Sequence, residues 1–267
     1  MLIDERSGAL MQVLGCQFDI AWEDKPANFA KVQQMVAEQS PPAGSLIVLP
    51  EMFATGFSMN VARIAEPQQG ETHAFLSKLA ERWQSYVIGG VATQDAAGKG
   101  RNEAIVFDCA GKEIARYCKQ QPFTLGGERD HYVAGSQWVS AACGEFSVAP
   151  FVCYDLRFPE LFRPAVAEGA QVIVVIANWP QSRAAHWTAL LRARAIENQA
   201  YVVGVNRCGN DPRLVYPGHS IIVDPQGNTL AEADEREQVL SADLNLKDLV
   251  DYRRKFPALA DMRDTAR

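Results

Sequence analysis

Short apolar runs that end abruptly on a reactive side chain recur along this chain. Three of them, with the residue that follows each, are 46–50 with Glu51, 114–118 with Lys119 and 148–152 with Cys153. Runs of this length predict β-strands. Because ligands of open α/β sheets bind outside the carboxyl ends of parallel strands, side chains at three strand ends can converge on one pocket. The pattern therefore predicts a sheet-based fold whose chemistry lies at strand ends.

Segments with helical spacing alternate with these strands. Asp24 and Pro26 open a predicted helix between a strand at 10–19 and the strand at 46–50. The elements that follow the same alternation are a helix with its apolar face at Phe75, Leu76, Leu79, Ala80 and Trp83, a strand at 86–92, a helix after Pro159, a strand at 172–177, a helix around Trp187, Leu190, Leu191 and Ala195, and a strand at 201–205. This alternation is typical of an α/β fold.

Two turn signals interrupt the alternation and predict hairpins. They are Ala110-Gly111 between strands at 104–108 and 113–118, and the turn at 224–228 between strands at 220–223 and 229–231. Hairpins pair antiparallel, so the sheets are predicted to be mixed. A last strand is expected at 239–244, and the tail from Lys247 is expected to be helical and then to fray. No linker divides the chain, which predicts a single domain at 10–267 after an N-terminal extension at 1–9.

Composition narrows the class of protein. Apolar residues make up 48% of the 267 residues and charged residues 22%, which is ordinary for a folded globular chain. The net charge of −6 and the absence of a basic stripe argue against a nucleic-acid partner. The longest aliphatic run, at 172–177, is far shorter than the about 20 residues that span a bilayer. Residues 1–8 lack the features of a secretory signal, so we expect no membrane partner and a cytoplasmic location.

The three residues at the strand ends form a chemically coherent set. A carboxylate can take the proton of a thiol, a lysine can stabilise the anion that forms on an attacked carbonyl, and a thiolate is a strong nucleophile, so the set predicts acyl transfer. The alternative is that Glu51 and Lys119 are merely solvated and that Cys153 is a small buried hydrophobe. That interpretation is the one we favour for the other cysteines, Cys16, Cys109, Cys118, Cys143 and Cys208.

The neighbours of Cys153 and Glu51 predict how each group is tuned. Pro159 and the apolar residues after it predict a helix just beyond Cys153, whose dipole would favour a thiolate. Pro50 and the apolar residues after Glu51 predict a poorly hydrated carboxylate. Its pKa is therefore expected to be raised, which suits a general base near neutral pH.

The ordered set Glu51, Lys119 and Cys153 resembles the catalytic triad of the nitrilase superfamily, the carbon–nitrogen hydrolases. The resemblance runs from about Met11 onward. Three segments are similar to the omega-amidase branch of that family: PEMFATGF at 50–57, CYDLRFPE at 153–160 and NWP at 178–180. The resemblance implies an α-β-β-α sandwich, in which two mixed sheets stack and helices lie outside.

The same resemblance implies roles for further residues. Lys119 and the backbone N–H of Tyr154 are expected to hold the oxyanion of the tetrahedral intermediate. Glu128, within 126–132, is expected to orient the lysine and to contact the substrate nitrogen. The alternative is that Glu128 lies in an ordinary loop and pairs with Arg129 in solvent.

Three residues are candidates for substrate recognition. A guanidinium matches a carboxylate bidentately and an indole can wall a small pocket, so Arg157 and Trp179 are predicted to bind substrate, with Phe57 lining the pocket. Alternatively, Arg157 holds the local turn through Asp155 or Glu160, and the two aromatic residues only fill the core.

The implied activity is hydrolysis of the terminal amide of a short dicarboxylate or 2-oxo-dicarboxylate, such as 2-oxoglutaramate, through a thioester on Cys153. The same triad serves nitrilases, other aliphatic amidases and carbamoyl hydrolases, which remain alternatives. A non-catalytic binding protein that retains the fold is an alternative of another class. The scattered histidines lack metal-site spacing and no nucleotide-binding motif is present, so neither a metal nor another cofactor is expected. The family further implies a homodimer.

Overall fold

The structure, a computed structural model, describes residues 8–95 and 97–263. Most of the predicted N-terminal extension, residues 1–7, and the chain end at 264–267 lie outside the described residues. The strands are Leu10–Gln17 (β1), Leu46–Val48 (β2), Tyr86–Gln94 (β3), Gly100–Phe107 (β4), Glu113–Cys118 (β5), Ala141–Cys143 (β6), Phe146–Val152 (β7), Val172–Ala177 (β8), Tyr201–Asn206 (β9), Cys208–Asn210 (β10), Val215–Pro217 (β11), Ile221–Val223 (β12), Thr229–Glu232 (β13) and Gln238–Asn245 (β14).

Helices lie in several of the connections between these strands. The α-helices are Lys25–Gln39 (α1), Val61–Ile64 (α2), Glu71–Trp83 (α3), Glu128–His131 (α4), Phe162–Ala167 (α5), Ala184–Asn198 (α6) and Leu246–Lys255 (α7). Short 3₁₀ helices are found at Thr124–Gly126, Cys153–Arg157, Pro159–Leu161, Gln181–Arg183 and Ala258–Asp261. Asp24 caps α1 by accepting a hydrogen bond from the Ala27 N–H, so the predicted helix start at Asp24 and Pro26 is confirmed.

Two six-stranded mixed sheets carry the fold. Their strand orders are β14-β1-β2-β3-β4-β5 and β13-β12-β9-β8-β7-β6. In each sheet three central strands run parallel, β1 to β3 in one and β7 to β9 in the other, and antiparallel strands extend both edges. The two predicted hairpins are the pairs β4–β5 and β12–β13. The predicted mixed sheets are therefore confirmed.

The sheets stack face to face and the helices cover their outer faces. The main core cluster contains inward-facing residues of both sheets, such as Val48 and Ile88 from one and Val174 and Val203 from the other. A second cluster lies between the first sheet and helices α1 and α3, where Val32 of α1 packs. Burying both faces of a parallel sheet requires nearly continuous apolar strands, which is the pattern of β8. The predicted α-β-β-α sandwich is confirmed.

The helix predicted after Pro159 takes a different form from the one expected. A 3₁₀ helix at Cys153–Arg157 follows β7 directly, a second one begins at Pro159, and the α-helix α5 covers only Phe162–Ala167. Cys153 therefore lies in a tight turn at a strand end, and the α-helix begins nine residues later.

Candidate active site

The three reactive residues predicted at strand ends meet in the structure. Lys119 follows β5, Cys153 follows β7, and Glu51 lies three residues beyond β2. Lys119 Nζ lies 2.9 Å from Glu51 Oε1, and all three residues line one cavity. β5 is antiparallel to its neighbour β4, so one member of the set comes from the antiparallel part of a sheet.

The ammonium group of Lys119 lies between two buried carboxylates. Besides Glu51, it donates to both oxygens of Glu128, at 3.1 and 2.9 Å. Asn102 Nδ2 bridges the same carboxylates, at 2.7 Å from Glu51 Oε1 and 2.8 Å from Glu128 Oε1. The Phe123 N–H donates to Glu128 at 2.6 Å. Both carboxyl groups are fixed by several donors, which makes the position of the lysine rigid.

Asn178 interacts with both Glu51 and Cys153. Its backbone N–H donates to Glu51 Oε2 at 2.8 Å, and its side-chain amide donates to the Glu51 carbonyl at 2.6 Å. The same backbone N–H lowers the pKa of the Cys153 thiol through a hydrogen bond. Glu51 and the Cys153 thiol therefore both lie close to the backbone N–H of Asn178.

The backbone of Cys153 adopts an unusual conformation. Cys153 has a φ of 48°, in the left-handed region that residues with a β-carbon rarely adopt, at a cost of about 1 kcal/mol or more. Asp155 holds this turn, since its buried carboxylate accepts from the Val152 N–H at 3.0 Å and the Gln121 N–H at 2.9 Å. The Tyr117 hydroxyl donates to the same carboxylate at 2.8 Å. Asp155 thus ties the turn that carries Cys153 to the segment that carries Lys119.

The charges of these groups set their protonation states. Burial raises the pKa of the Glu51 carboxyl, but the charge and hydrogen bond of Lys119, with hydrogen bonds from two asparagines, outweigh burial and hold the pKa below its usual value. Burial lowers the pKa of Lys119, yet the charges of Glu128 and Glu51 raise it well above the usual value. Burial and the Glu51 charge raise the pKa of the Cys153 thiol well above its usual value. The free site therefore holds a carboxylate, an ammonium and a neutral thiol.

Two predictions from the sequence are corrected here. The raised pKa predicted for Glu51 is wrong, because the sequence indicated burial but not the four donors that surround the carboxylate. The thiolate predicted for Cys153 is wrong as well, because burial and the charge of Glu51 raise the pKa of the thiol well above its usual value.

The cavity has a volume of about 300 Å³ and contains the predicted recognition residues. Arg157, Trp179 and Phe57 line it together with Tyr154. The Phe57 ring centroid lies 5.2 Å from Lys119 Nζ, so this ring shields the ammonium from water. Glu128 is fully buried behind Lys119 and is not part of the lining, a position that suits orientation of the lysine.

Arg157 lies on aromatic rings. Its guanidinium carbon is 4.7 Å from the Trp179 ring centroid and 5.9 Å from that of Tyr154, and its Nη2 lies 3.2 Å from His186 Nδ1. The carboxylate of Asp155, one candidate partner for Arg157, is instead occupied by backbone and tyrosine donors. Trp179 is 98% buried and also packs against Trp187, so it both fills the core and walls the cavity.

Comparison with known proteins decides the family. The profile of the carbon–nitrogen hydrolases matches residues 13–254. The chain belongs to the carbon–nitrogen hydrolase family. An omega-amidase, YafV, of Yersinia enterocolitica is 38% identical over 92% of this chain and 94% of its own length. A 2-oxoglutaramate amidase of Bacillus subtilis is 32% identical over 92% of this chain and 95% of its own length.

Solved structures lead to the same family. A carbon–nitrogen hydrolase superfamily protein of Xanthomonas campestris, XC1258, superposes with a TM-score of 0.89 at 33% identity, covering 97% of this chain and 99% of that one. Nit3 of Saccharomyces cerevisiae, a nitrilase superfamily member, superposes with a TM-score of 0.85 at 27% identity, covering 95% and 97%. These comparisons confirm the resemblance drawn from the sequence, including the omega-amidase-like branch.

Two asparagines of this hydrolase escaped the sequence analysis as functional residues. Asn178 follows the apolar run of β8 in the same way that Cys153 follows β7, so the strand-end pattern could have identified it. Asn102 lies inside β4 with no distinguishing neighbour, and only its contacts with Glu51 and Glu128 identify it.

The described residues contain neither a metal-binding cluster nor a membrane-spanning helix. Within 8–95 and 97–263, no group of three or more histidine, cysteine, aspartate or glutamate side chains is arranged to hold a metal ion. No helix within those same ranges is both long and apolar enough to cross a membrane.

Proposed function

We propose that this protein is an omega-amidase, which hydrolyses the terminal amide of a short dicarboxylate or 2-oxo-dicarboxylate and releases ammonia. The observation that carries the proposal is the single cavity that holds Glu51, Lys119 and Cys153 together with the guanidinium of Arg157. A thiol, a base and an oxyanion donor suit attack on an amide carbonyl. A cation in the same cavity suits a substrate with a carboxylate at its other end.

In the first half of the reaction, Glu51 takes the thiol proton while Cys153 Sγ bonds to the carbonyl carbon. Lys119 Nζ and the Tyr154 N–H, which lies in the first turn of a 3₁₀ helix where N–H groups lack intrahelical acceptors, stabilise the oxyanion. Glu51 then gives its proton to the amide nitrogen, the carbon–nitrogen bond breaks, and ammonia leaves. A thioester on Cys153 remains.

In the second half, water attacks the thioester carbon and gives a proton to Glu51. The carbon–sulfur bond breaks, the sulfur regains the proton, and the carboxylic acid is released. Glu51 thus acts as base and then as acid in each half, which microscopic reversibility of the two steps requires. Glu128 supports both halves by holding Lys119 in place.

The substrate end of the cavity supports the choice of amide. The Arg157 guanidinium lies over the Trp179 ring, with its Nη2 3.2 Å from His186 Nδ1, and its other N–H groups suit donation to a carboxylate. Relatives that share 32–39% of the sequence carry the names omega-amidase and 2-oxoglutaramate amidase. The short acidic amides are therefore the first substrates to test.

The test compares ammonia release from 2-oxoglutaramate, glutaramate and a small aliphatic nitrile. Release from the first two, abolished in Cys153→Ala and retained in Cys109→Ala, is the expected result, since Cys109 lies at a hairpin outside the cavity. Release from the nitrile alone would replace the proposal with a nitrilase. No release from any of them, with a thiol of ordinary pKa at Cys153, would favour a binding protein.

The proposal extends to the organisation of the protein. Residues 10–267 act as one catalytic domain, and two copies of the chain form a homodimer in the cytoplasm. Sedimentation equilibrium tests the dimer, and a mass of one chain at micromolar concentration would refute it.

A further inference from the structure

The outer part of the cavity is positively charged although the protein is acidic. Three arginines line it, Arg157, Arg183 and Arg213, against a single carboxylate besides Glu51, that of Asp211. The whole chain has a net charge of −6. An anionic substrate is therefore repelled by the protein at long range and attracted only near this mouth, because local cations in a cleft concentrate anions.

The carboxylate of Asp211 binds groups of its own loop rather than these guanidinium groups. Its Oδ1 accepts hydrogen bonds from the backbone N–H groups of Arg213 and Leu214, each at 2.7 Å, and its Oδ2 accepts from the Tyr216 hydroxyl at 2.6 Å. Asp211 thus shapes its own loop. In the described part of the chain, none of the three guanidinium groups forms an ion pair with a carboxylate.

Arg183 is the best organised of the arginines that the proposed function leaves unassigned. Its guanidinium carbon lies 5.3 Å from the Phe123 ring centroid, and the residue is half-buried, whereas Arg213 is exposed. Its backbone is fixed on both sides: its carbonyl accepts from Trp179 Nε1 at 2.8 Å, and its N–H donates to the Pro180 carbonyl at 3.0 Å. A guanidinium that packs on a ring through a cation–π contact can still donate its N–H groups to an anion.

The supports of Arg157 and Arg183 form one connected wall. The rings of Phe123 and Tyr154 pack with centroids 5.0 Å apart, and Arg157 contacts the far member of this pair. The Phe123 backbone also donates to Glu128, so the ring that carries Arg183 is tied to the catalytic cluster. Two cations therefore flank one aromatic pair beside the nucleophile.

We propose that Arg183 is a specificity-determining residue, a second cation that binds the distal carboxylate of the substrate together with Arg157. This inference rests on the proposed amidase function. It narrows the substrates to amides with an anionic far end, and it distinguishes the pocket from one that accepts neutral aliphatic amides.

The experiment uses two amides of the same shape, anionic glutaramate and neutral glutaramide. The kcat/KM for each is measured by initial ammonia release with the wild type, Arg183→Gln, Arg183→Lys and Arg82→Gln, the last removing an exposed arginine on α3 far from the cavity. The ratio of kcat/KM for glutaramate to kcat/KM for glutaramide is expected to fall about 10-fold in Arg183→Gln. The fall comes mainly through KM for glutaramate, because one hydrogen-bonded charge is lost at a half-exposed site. Lysine keeps the charge without the fork, so its ratio is expected to lie between the two.

The ratio in Arg82→Gln is expected to match the wild type, which separates a local contact from a change in net charge. The wild-type kcat/KM on glutaramate should also fall with added salt more steeply than that of Arg183→Gln. An unchanged ratio in Arg183→Gln, or equal losses on both amides, would overturn this inference while leaving the amidase activity intact. Absence of ammonia release by the wild type would instead refute the proposed function.

Discussion

The pH dependence of protein stability tests the electrostatics of Asp155, the buried acid that holds the turn carrying Cys153. Burial raises the pKa of its carboxyl to about 7, although Lys119 and three hydrogen bonds favour the charged form. The usual value is about 3.9, so about three pKa units separate the folded and unfolded states. At 1.36 kcal/mol per unit, ionising Asp155 in the folded protein costs about 4 kcal/mol relative to the unfolded chain.

The direction of the pH dependence of stability follows from which state of the protein, folded or unfolded, loses the Asp155 proton at the lower pH. Above about pH 4 the unfolded carboxyl loses its proton while the folded one keeps it, so the wild type loses stability as the pH rises toward 7. Asparagine has the shape of the protonated acid and cannot ionise. The free energy of unfolding of Asp155→Asn is therefore expected to rise by about 3 kcal/mol relative to the wild type between pH 5 and pH 8.

Urea unfolding at both pH values measures this difference directly. Asp130→Asn, which changes an exposed aspartate, serves as the control and is expected to follow the wild type. Other titrating groups are common to all three proteins and cancel in the comparison. A difference between Asp155→Asn and the wild type that is the same at pH 5 and pH 8 would refute the reasoning.

Two further predictions concern Glu51. Gly90→Ala is expected to lower kcat about 100-fold, because a β-carbon there would lie 2.4 Å from the Met52 nitrogen and 2.5 Å from the Glu51 Cα, and displacing a catalytic group by about 1 Å has this effect. Gly8→Ala, where a β-carbon meets no atom within 4 Å, is the control, and a kcat for Gly90→Ala within twofold of it would contradict the close approach. Glu51→Gln is expected to abolish ammonia release and yet to lower the pKa of the Cys153 thiol, because the Glu51 charge raises that pKa. Alkylation of Cys153 by iodoacetamide, followed by mass spectrometry across pH, measures this shift, and a thiol pKa equal to that of the wild type would show that Glu51 does not govern it.

Much of the fold could be predicted from local pattern. The alternation of apolar runs with helical spacing identified the central parallel strands, and the turns at Ala110-Gly111 and 224–228 identified both hairpins. Such elements depend on side chains a few residues apart, which a sequence displays directly. The helix predicted after Pro159 is the exception. The apolar residues there indicated one regular helix, whereas the structure has a tight 3₁₀ turn followed by a short α-helix.

The same distinction between local pattern and long-range contact applies to the residues of the candidate active site. The strand-end pattern identified Glu51, Lys119 and Cys153, and the structure brings them into one cavity. It did not identify Asn102 or the role of Asp155, because their partners lie up to 51 residues away in sequence. The two errors in the predicted pKa values have different causes. For Glu51 the sequence indicated burial but not the donors from other strands, and for Cys153 it did not indicate the burial and the nearby Glu51 charge that raise the pKa.

Sequence alone therefore determined which reactive groups this hydrolase carries and that they stand at the ends of strands. Only the tertiary structure determined the protonation states of these groups and which side chains line the cavity. The physical reason is that a pKa and a binding pocket depend on distances of a few ångströms between segments remote in the chain. Arg183 shows this most clearly: it was not singled out in the sequence analysis, and the structure places it in the cavity lining beside the ring of Phe123, 60 residues earlier.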